Sequence, residues 1–340
     1  MEILVYSGLE LLGDGVMKLP FVRALRYCFP SARITWLAGK GKTVYAGTLA
    51  PLVGDCLDEV IEEAGIGSRA GELLRRPLAD RRFDLVIDTQ RRVLTSLILR
   101  RIRAKCFVSG AADFLLSSRR PPRGTRKPPS MIGQLFALLG LAAGHPVAPV
   151  FDLALDASWR DRAAALLPRG PLYVGLAPGA GGAHKRWPRE RFVALAQAQI
   201  AAGREAVFLL GPDESDWLGA LRGAVPGALF PLQLAAPAGD PASPLLTLAV
   251  AQRLAAAVAN DSGTGHLIAA AGCPLVSLFG PTRAEKFAPA ARRLEIVEAQ
   301  DFGASDMDAI PLDAVAAALE RVLAAGAADD IPSGYMPSGT

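Results

Sequence analysis

Cysteine is scarce in this chain, with four residues among 340. Cys28, Cys56, Cys106 and Cys273 are scattered and form no Cys-x-x-Cys pair. Zinc sites and disulfide frameworks need cysteines at short, regular spacing, so the sequence argues against both. We expect buried free thiols instead.

Long apolar runs are missing as well. Segment 245–271 comes closest to the roughly 20 residues that a membrane-spanning helix needs, but Arg253, Asn260, Asp261 and His266 interrupt it. The start, MEILVYSG, has an acidic second residue and no basic segment, so it predicts a strand rather than a signal peptide. We therefore expect a cytoplasmic protein.

Acidic residues are nearly absent from one segment, since Asp113 is the one acid between residues 91 and 127. Eleven basic residues lie there: Arg91, Arg92, Arg100, Arg101, Arg103, Lys105, Arg119, Arg120, Arg123, Arg126 and Lys127. Such a segment suits nucleic acid, an anionic membrane face or an acidic substrate. No nucleic-acid recognition motif accompanies it, so we expect no nucleic-acid partner.

The rest of the chain alternates between strand-like and helix-like segments. Short apolar runs such as ILVYS, ARITWLA, FDLVIDT and AKCFVSG alternate with helical stretches in the first half. The pattern restarts at PLYVGLAPGAGG, and LLTLAVAQRLAAAV (245–258) is predicted to be a helix. This βαβ alternation favours an α/β fold with parallel sheets, and the length favours two domains.

A Pro-rich stretch, HPVAPVFDLALD, marks the expected domain boundary. We predict a Rossmann-like domain at 1–150, a second Rossmann-like domain at 151–327 and a flexible tail at 328–340. The final helix, 311–325, belongs to the second domain by position, and its packing back on the first domain stays open. The two domains are expected to face each other across a cleft, with ligands at the carboxyl ends of their strands.

An acidic residue stands between two glycines where the first strand meets the first helix. Gly13-Asp14-Gly15 is compatible with a plain turn, since Asp caps helices and Gly tolerates unusual dihedral angles. A carboxylate at the end of the first strand would also be placed to act as a base toward a hydroxyl group. This loop leaves both interpretations open.

Two loops in the second half have the chemistry of phosphate binding. In APGAGGAHKRWP, Gly179 and the glycines after it allow the backbone to approach a ligand closely, and Lys185 supplies a charge suited to phosphate. The loop matches neither a Walker A sequence nor G-x-G-x-x-G, so it is a weak signal.

The second loop, NDSGTGHLIAAAG, is more specific. Asp261 or Ser262 is placed to cap the following helix, and Gly263 leaves backbone N–H groups open, which makes the helix start an anion site. An ordinary, partly buried histidine explains His266 as well as a contact to phosphate or ribose does. Together the loops fit glycosyl transfer, in which fixed donors stabilise a departing diphosphate.

The chain resembles the lipopolysaccharide heptosyltransferases (glycosyltransferase family 9). The resemblance lies in Gly13-Asp14, then Lys185-Arg186-Trp187-Pro188, then Asp261-Ser262-Gly263 with His266, and it extends through LGDGVMKLPFVRALR, FDLVIDTQ and IPLDAVAAALERVL. It implies the GT-B fold and an enzyme that transfers a heptose, with inversion, from ADP-heptose to the inner core of lipid A-linked oligosaccharide.

The same resemblance implies roles for individual residues, with Asp14 as the general base. The domain at 1–150 would bind the acceptor and the domain at 151–327 the nucleotide-sugar donor. The implied donor-binding residues are Gly179, Lys185, Glu214, Asp261, Ser262, Gly263, Thr264 and His266. Among these, Lys185 would bind the diphosphate, Asp261 the heptose and Glu214 the adenosine ribose. The backbone of residues 262–264 would hold the phosphates together with His266.

The basic segment fits this function, because phosphorylated lipid A, its acidic sugars and the membrane are all anionic. Arg91 and Arg92, just after FDLVIDT, are expected to bind the acceptor, and Arg119, Arg120 and Arg123 to contact lipid headgroups or the acceptor. The expected partners are a nucleotide-sugar donor, an anionic lipid-linked oligosaccharide and, peripherally, the inner face of the inner membrane. We expect a monomer.

Two departures from the family leave the sugar and the acceptor open. Glu10 and Leu11 stand where members usually have Ser or Thr, and the segment after LFGPT is short. Alternatives are a transferase for another nucleotide sugar or surface glycan, a GT-B nucleotide-sugar epimerase and a non-catalytic relative. No cofactor or metal is required, although Mg²⁺ stays compatible, and we discount the late D-x-D spelling at Asp306 and Asp308 as a metal site.

Overall fold

The computed structural model describes residues 1–235 and 243–329, which form two compact units. Unit 1 comprises residues 1–159 with 243–245 and 285–290, and unit 2 comprises the remaining described residues. Unit 1 thus extends past the predicted boundary at residue 150 and takes in two later segments.

Unit 1 is built on a parallel five-stranded sheet. Its strands are β1 (Glu2–Ser7), β2 (Arg33–Ala38), β3 (Glu59–Ile61), β4 (Phe83–Asp88) and β5 (Ala104–Ser109), and its helices include α1 (Leu12–Cys28), α2 (Val93–Leu99) and α3 (Met131–Ala143). The strand order is β3-β2-β1-β4-β5. The order reverses between β1 and β4, and such a reversal opens a crevice at the carboxyl ends of the two strands.

Unit 2 contains a second parallel sheet. Its strands are β6 (Tyr173–Ala177), β7 (Glu205–Phe208), β8 (Ala256–Asn260), β9 (Leu275–Phe279) and β10 (Leu294–Glu298), in the order β10-β9-β8-β6-β7. The remaining helices along the chain are α4 (Ala157–Leu166), α5 (Arg189–Ala201), α6 (Leu218–Ala224), α7 (Pro231–Leu234), α8 (Pro244–Ala251), α9 (Gly263–Ala270), α10 (Ala284–Phe287) and α11 (Leu312–Asp329). Here the order reverses between β6 and β8. The α/β class with two parallel sheets, predicted from the alternation, is confirmed.

The end of the helix predicted at 245–258 is wrong. Helix α8 ends at Ala251, and residues from Ala256 onward form β8, which pairs with β6 and β9 in the middle of the sheet. An Ala-rich segment has high helix propensity, but burial between two neighbouring strands outweighs that preference.

The final helix belongs to the core of unit 2. Val315, Ala318 and Leu319 of α11 are fully buried in one cluster with Val258 of β8 and Val276 of β9. The helix continues to Asp329, into the tail that was predicted to begin at residue 328. From residue 330 onward that tail lies outside the described residues.

Two further sequence expectations concern membranes and thiols. Over residues 1–235 and 243–329, no helix combines the length and apolar character needed to cross a bilayer. All four cysteines are free thiols; Cys56 and Cys273 are buried, and Cys28 and Cys106 are half-buried.

Candidate active site

The first helix carries the acidic residue that was predicted to be the base. Helix α1 begins at Leu12 after an extended Leu11, so Asp14 lies in the first helical turn, where the helix dipole favours a negative charge. Within the described residues the half-buried carboxylate accepts no hydrogen bond. Asp14 is therefore neither the N-cap nor part of a turn before the helix, and its carboxylate is available to a ligand.

Asp14 lines a cavity of about 330 Å³ in unit 1, at the reversal between β1 and β4. The charged residues that line it are Asp14, Lys18, Arg91, Lys127 and Lys286. One carboxylate thus faces the same space as four cations. Lys127 and Lys286 approach from segments that sequence analysis did not connect with Asp14.

Arg91 reaches this cavity from the loop after β4. Its Nη1 atom donates to Oε1 of Gln134 on α3 at 2.8 Å, and Gln134 also lines the cavity. Arg92 is exposed at the N-cap position of α2 and is not among the lining residues. The structure therefore brings Arg91, but not Arg92, together with Asp14.

A buried carboxylate that sequence analysis did not select holds this loop. Asp88, the last residue of β4, accepts hydrogen bonds from the backbone N–H of Gln90 at 2.9 Å, from Ser96 Oγ and from Ser109 Oγ at 2.9 Å. Burial raises the pKa of Asp88 to about 6, against the opposing effect of these hydrogen bonds. The network fixes the backbone that leads into Arg91.

The three arginines predicted to contact lipid headgroups are exposed, and two of them also serve the fold. Arg119 Nη1 donates to the carbonyls of Leu141 and Ala142, at 3.0 and 2.7 Å, so it caps the carboxyl end of α3. Arg120 donates to a backbone carbonyl five residues earlier, at 3.0 Å. Neither these two nor Arg123 lines the cavity.

In unit 2, the two predicted donor loops meet at the reversal between β6 and β8. Lys185 Nζ lies 2.9 Å from Asp261 Oδ2, and Thr282 Oγ1 donates to the same oxygen at 2.7 Å. Because Lys185 balances the charge of Asp261, the loop holds no uncompensated carboxylate at this point to oppose a bound anion.

The start of α9 has the features of an anion site. Ser262, not Asp261, is the N-cap residue, and its Oγ accepts from the backbone N–H three residues later at 3.2 Å. Gly263 and Thr264 form the first turn, whose N–H groups precede the first intrahelical bonds and can bind an anion. His266 follows in the same turn and is buried.

Glu214 and Gly179 are in direct contact beside these loops. Burial raises the pKa of Glu214, whereas Arg186, whose Nη2 lies 3.1 Å from Oε1, opposes the shift and Asp213 adds to it. A Cβ atom on Gly179 would lie 2.5 Å from Oε2 of Glu214. Only glycine leaves room for the carboxylate in this place.

Asn260 joins the two loops, and sequence analysis missed it. At the end of β8 its Nδ2 donates to the carbonyl of Pro178 at 2.8 Å, and its Oδ1 accepts from the backbone N–H of Trp187 at 3.1 Å. Asn260 is fully buried. Its place directly before Asp261 was the available signal in the sequence.

Acidic residues and cysteines are not gathered into a metal site in the part of the chain that the structure describes. No group of three or more His, Cys, Asp or Glu residues there is placed to hold a metal ion. The D-x-D sequence at Asp306 and Asp308 borders a short 3₁₀ turn, Met307–Ala309.

In both units the candidate site follows the two strands at which the strand order reverses, as ligand sites of open α/β sheets do. Two Rossmann-like units with five parallel strands each define the GT-B class. Heptosyltransferase WaaC from Escherichia coli, solved with ADP, shares the fold with a TM-score of 0.66 at 17% identity, over 95% of this chain and 100% of that one.

The chain belongs to glycosyltransferase family 9 (heptosyltransferase), whose family model matches residues 72–309, more than half of its length. It is therefore a glycosyltransferase.

Two relatives agree with this membership. Lipooligosaccharide heptosyltransferase 2 of Haemophilus influenzae is 34% identical over 142 residues, which cover 40% of this chain and 39% of that protein. Lipopolysaccharide heptosyltransferase 3 of Escherichia coli is 25% identical over 290 residues, which cover 79% of this chain and 81% of that protein.

Proposed function

We propose that the protein is an inverting heptosyltransferase that moves a heptose from ADP-heptose to the inner-core oligosaccharide of lipopolysaccharide. The cavity of unit 1 carries this proposal, because it combines the half-buried Asp14 carboxylate with Arg91, Lys127 and Lys286. A base is required where the acceptor hydroxyl binds, and cations suit an acceptor that carries phosphate or carboxylate groups. The names of the Haemophilus and Escherichia relatives support the same activity.

In the proposed reaction, Asp14 takes the proton of the acceptor hydroxyl while the hydroxyl oxygen forms a bond to the anomeric carbon of the heptose. The bond from that carbon to the diphosphate breaks, and ADP leaves with the electron pair. Attack from the face opposite to the leaving group inverts the anomeric centre.

Unit 2 is proposed to bind the donor. Lys185 and the backbone N–H groups of residues 262–264 would stabilise the charge that develops on the diphosphate, with His266 beside them. Asp261 would contact the heptose and Glu214 the adenosine ribose. These donors do not depend on a metal ion, so we propose that transfer proceeds in EDTA as well as in Mg²⁺.

We further propose that the protein works as a monomer in the cytoplasm, peripherally on the inner face of the inner membrane. The exposed basic segment that includes Arg119, Arg120 and Arg123 supports this, because it is suited to anionic headgroups.

The first test is thermal unfolding of the purified protein with ADP, UDP, GDP and CDP at matched concentrations. A ligand at a hundred times its Kd adds about 2.7 kcal/mol to the free energy of unfolding, which is readily seen. We expect stabilisation by ADP, its loss in Lys185→Ala, and its retention in Lys105→Ala, a control at an exposed lysine on β5.

The companion assay measures heptose transfer from ADP-heptose to lipopolysaccharide extracted from a heptose-deficient strain. Stronger stabilisation by UDP or GDP than by ADP would contradict ADP-heptose as the donor. Turnover of the donor in the absence of acceptor would favour the alternative of a nucleotide-sugar epimerase. A protein that none of the nucleotides stabilises, and that transfers nothing, would contradict the proposed function.

A further inference from the structure

An ion pair is buried beside Asp14. Lys18 Nζ lies 2.9 Å from Oε1 of Glu10, and the side chain of Glu10 is 0% exposed against 10% for Lys18. A buried ion pair is weak evidence for a stabilising role, because removing both charges from water costs about as much as their attraction returns. The pair therefore calls for another explanation.

Both carboxylate oxygens of Glu10 accept hydrogen bonds from other residues of the protein. Burial acts to raise its pKa, but Lys18 and hydrogen bonds from Ser7, Thr43 and Lys18 outweigh burial, so the pKa is lowered and the carboxylate stays charged. Its second oxygen accepts a longer hydrogen bond from Trp36 Nε1 at 3.4 Å. Glu10 thus acts as a fixed anchor for Lys18.

The ammonium group of Lys18 has one N–H donor more than its bonds to Glu10 and Ser7 require. It has three N–H donors, of which one reaches Glu10 and another reaches Ser7 Oγ at 3.0 Å. The third has no acceptor within the described residues, although Trp36 presents its ring 6.0 Å away. Lys18 is also one of the residues that line the cavity.

Lys18 follows Asp14 by one turn of α1, so the two side chains share a face of the helix. Both line the same cavity. Because Glu10 neutralises Lys18, the pair differs from Arg91 and Lys127, whose charge suits an anion. A charge-balanced ammonium held in one place suits a neutral oxygen, such as a sugar hydroxyl.

We propose that Lys18, anchored by Glu10 and Ser7, is an acceptor-binding residue that donates a hydrogen bond to a hydroxyl or ring oxygen of the acceptor sugar near Asp14. The inference rests on the proposed function, because it assigns the cavity of unit 1 to the acceptor. It adds a specificity element for a neutral part of the sugar to the cations that suit its anionic groups.

The test compares Lys18→Met with the double variant Glu10→Gln/Lys18→Met. The single variant leaves Glu10 buried without its cation and is expected to lose stability, whereas the double variant removes both charges at nearly constant volume and should unfold close to wild type. Lys105→Met is the control, since it breaks an exposed lysine–carboxylate pair with Asp84 away from the cavity.

Two quantities are measured with lipopolysaccharide from a heptose-deficient strain, dispersed in detergent. They are the Kd for this acceptor without donor and the KM for it during transfer from ADP-heptose. For the double variant we expect both to rise about tenfold to a hundredfold, the loss of one hydrogen bond to a charged donor. Stabilisation by ADP should match wild type.

A change in acceptor Kd of less than about twofold in the double variant would overturn the inference, and so would a wild-type protein that does not bind this acceptor. If wild type binds the acceptor but transfers nothing, the proposed function fails. The comparison of Kd values then still decides whether Lys18 binds the acceptor.

Discussion

At the scale of single residues, the site depends on carboxylates that sit in very different surroundings. Asp14 faces the cavity without a hydrogen-bond partner in the described residues, whereas Asp88 is buried and accepts three hydrogen bonds. The Asp14 carboxylate is open to a ligand, and the Asp88 carboxylate holds a loop. Their substitutions should therefore affect different measurements.

Replacing Asp14 by Asn should remove the base and keep the fold. We expect kcat to fall by about 10²–10⁴-fold, the usual size of general base catalysis, with ADP stabilisation and the melting temperature near wild type. Heptose transfer and thermal unfolding measure the two effects. Asp113→Asn, at an exposed aspartate of unit 1, is the matched control. Turnover of Asp14→Asn within about twofold of wild type would contradict the role of Asp14 as the general base.

Replacing Asp88 by Asn should change the pH dependence of stability. The pKa of Asp88 is raised from 3.8 to about 6 in the folded protein, so between these values the folded state binds more protons than the unfolded chain. In the wild-type protein, the stability that comes from the raised pKa of Asp88 is fully present below pH 4. It is lost as the pH rises through 6. Relative to wild type, Asp88→Asn should therefore gain up to about 3 kcal/mol in free energy of unfolding between pH 4 and 7.

Urea unfolding at pH 4.5 and 7.5 measures whether the free energy of unfolding of Asp88→Asn rises relative to wild type as the pH rises. Asp84, on the same strand, is the control, because its hydrogen bonds from Lys105 and from the backbone N–H of Glu2 lower its pKa from 3.8. Both pH values lie above that range, so the stability of Asp84→Asn relative to wild type should not change between them. A relative stability of Asp88→Asn that does not change with pH would show that Asp88 keeps its ordinary pKa.

At the scale of helices and strands, the residues around the first turn of a helix decide whether that turn can bind a ligand. Ser130 caps α3 through a hydrogen bond from the N–H of Gly133 at 3.0 Å, just as Ser262 caps α9. The two caps are alike in local geometry. They differ in surroundings, since α9 starts beside Lys185 and Asp261, whereas α3 carries Gln134 to the cavity of unit 1.

Substituting each cap serine by Ala should separate stability from donor binding. Ser130→Ala and Ser262→Ala should each cost about 1 kcal/mol of stability. ADP affinity should fall about fivefold in Ser262→Ala, an effect comparable to the cap energy, and stay unchanged in Ser130→Ala. Denaturant unfolding and calorimetric titration with ADP measure these quantities. Equal ADP affinities in the two variants would argue against donor binding at α9.

At the scale of the whole molecule, charge is unevenly spread. The formal net charge is +4, yet eleven basic residues and one acid occupy residues 91–127. Arg91 and Lys127 line the cavity and Arg119 caps α3. Among the remaining exposed residues, Arg120, Arg123 and Arg126 lie together in one loop and are chosen for a membrane test. Arg119 is kept in this test because its removal would expose the end of α3.

Neutralising Arg120, Arg123 and Arg126 to Gln should weaken association with anionic vesicles. At about 1 kcal/mol for each basic residue near the surface, the partition coefficient should fall on the order of a hundredfold at low salt. Cosedimentation with phosphatidylglycerol vesicles measures it. Neutralising three other exposed arginines of unit 1, Arg69, Arg75 and Arg76, is the charge-matched control, and equal losses in the two triple variants would contradict a specific membrane face.

Much of this protein was predictable from local sequence, because local signals carry it. Parallel α/β units follow from the alternation of short apolar runs with helices, and the glycine-rich loops follow from residue type and spacing. Asp14 and Lys185 were selected by their position after a predicted strand and Asp261 by its position before a predicted helix, and the family resemblance implied their roles. The structure places Lys185 and Asp261 within 2.9 Å of each other, although 76 residues separate them in sequence.

Contacts between residues that are distant in sequence decided the features that local sequence did not predict. Burial turned the Ala-rich segment at Ala256 into a strand, and the cavity gathered Asp14, Arg91, Lys127 and Lys286 from four separate segments. The sequence determined the class of fold and the candidate site residues, since propensity, periodicity and loop composition act over a few neighbours. The tertiary structure alone decided which of those residues meet, because burial, hydrogen bonding and charge pairing depend on which distant segments the fold brings into contact.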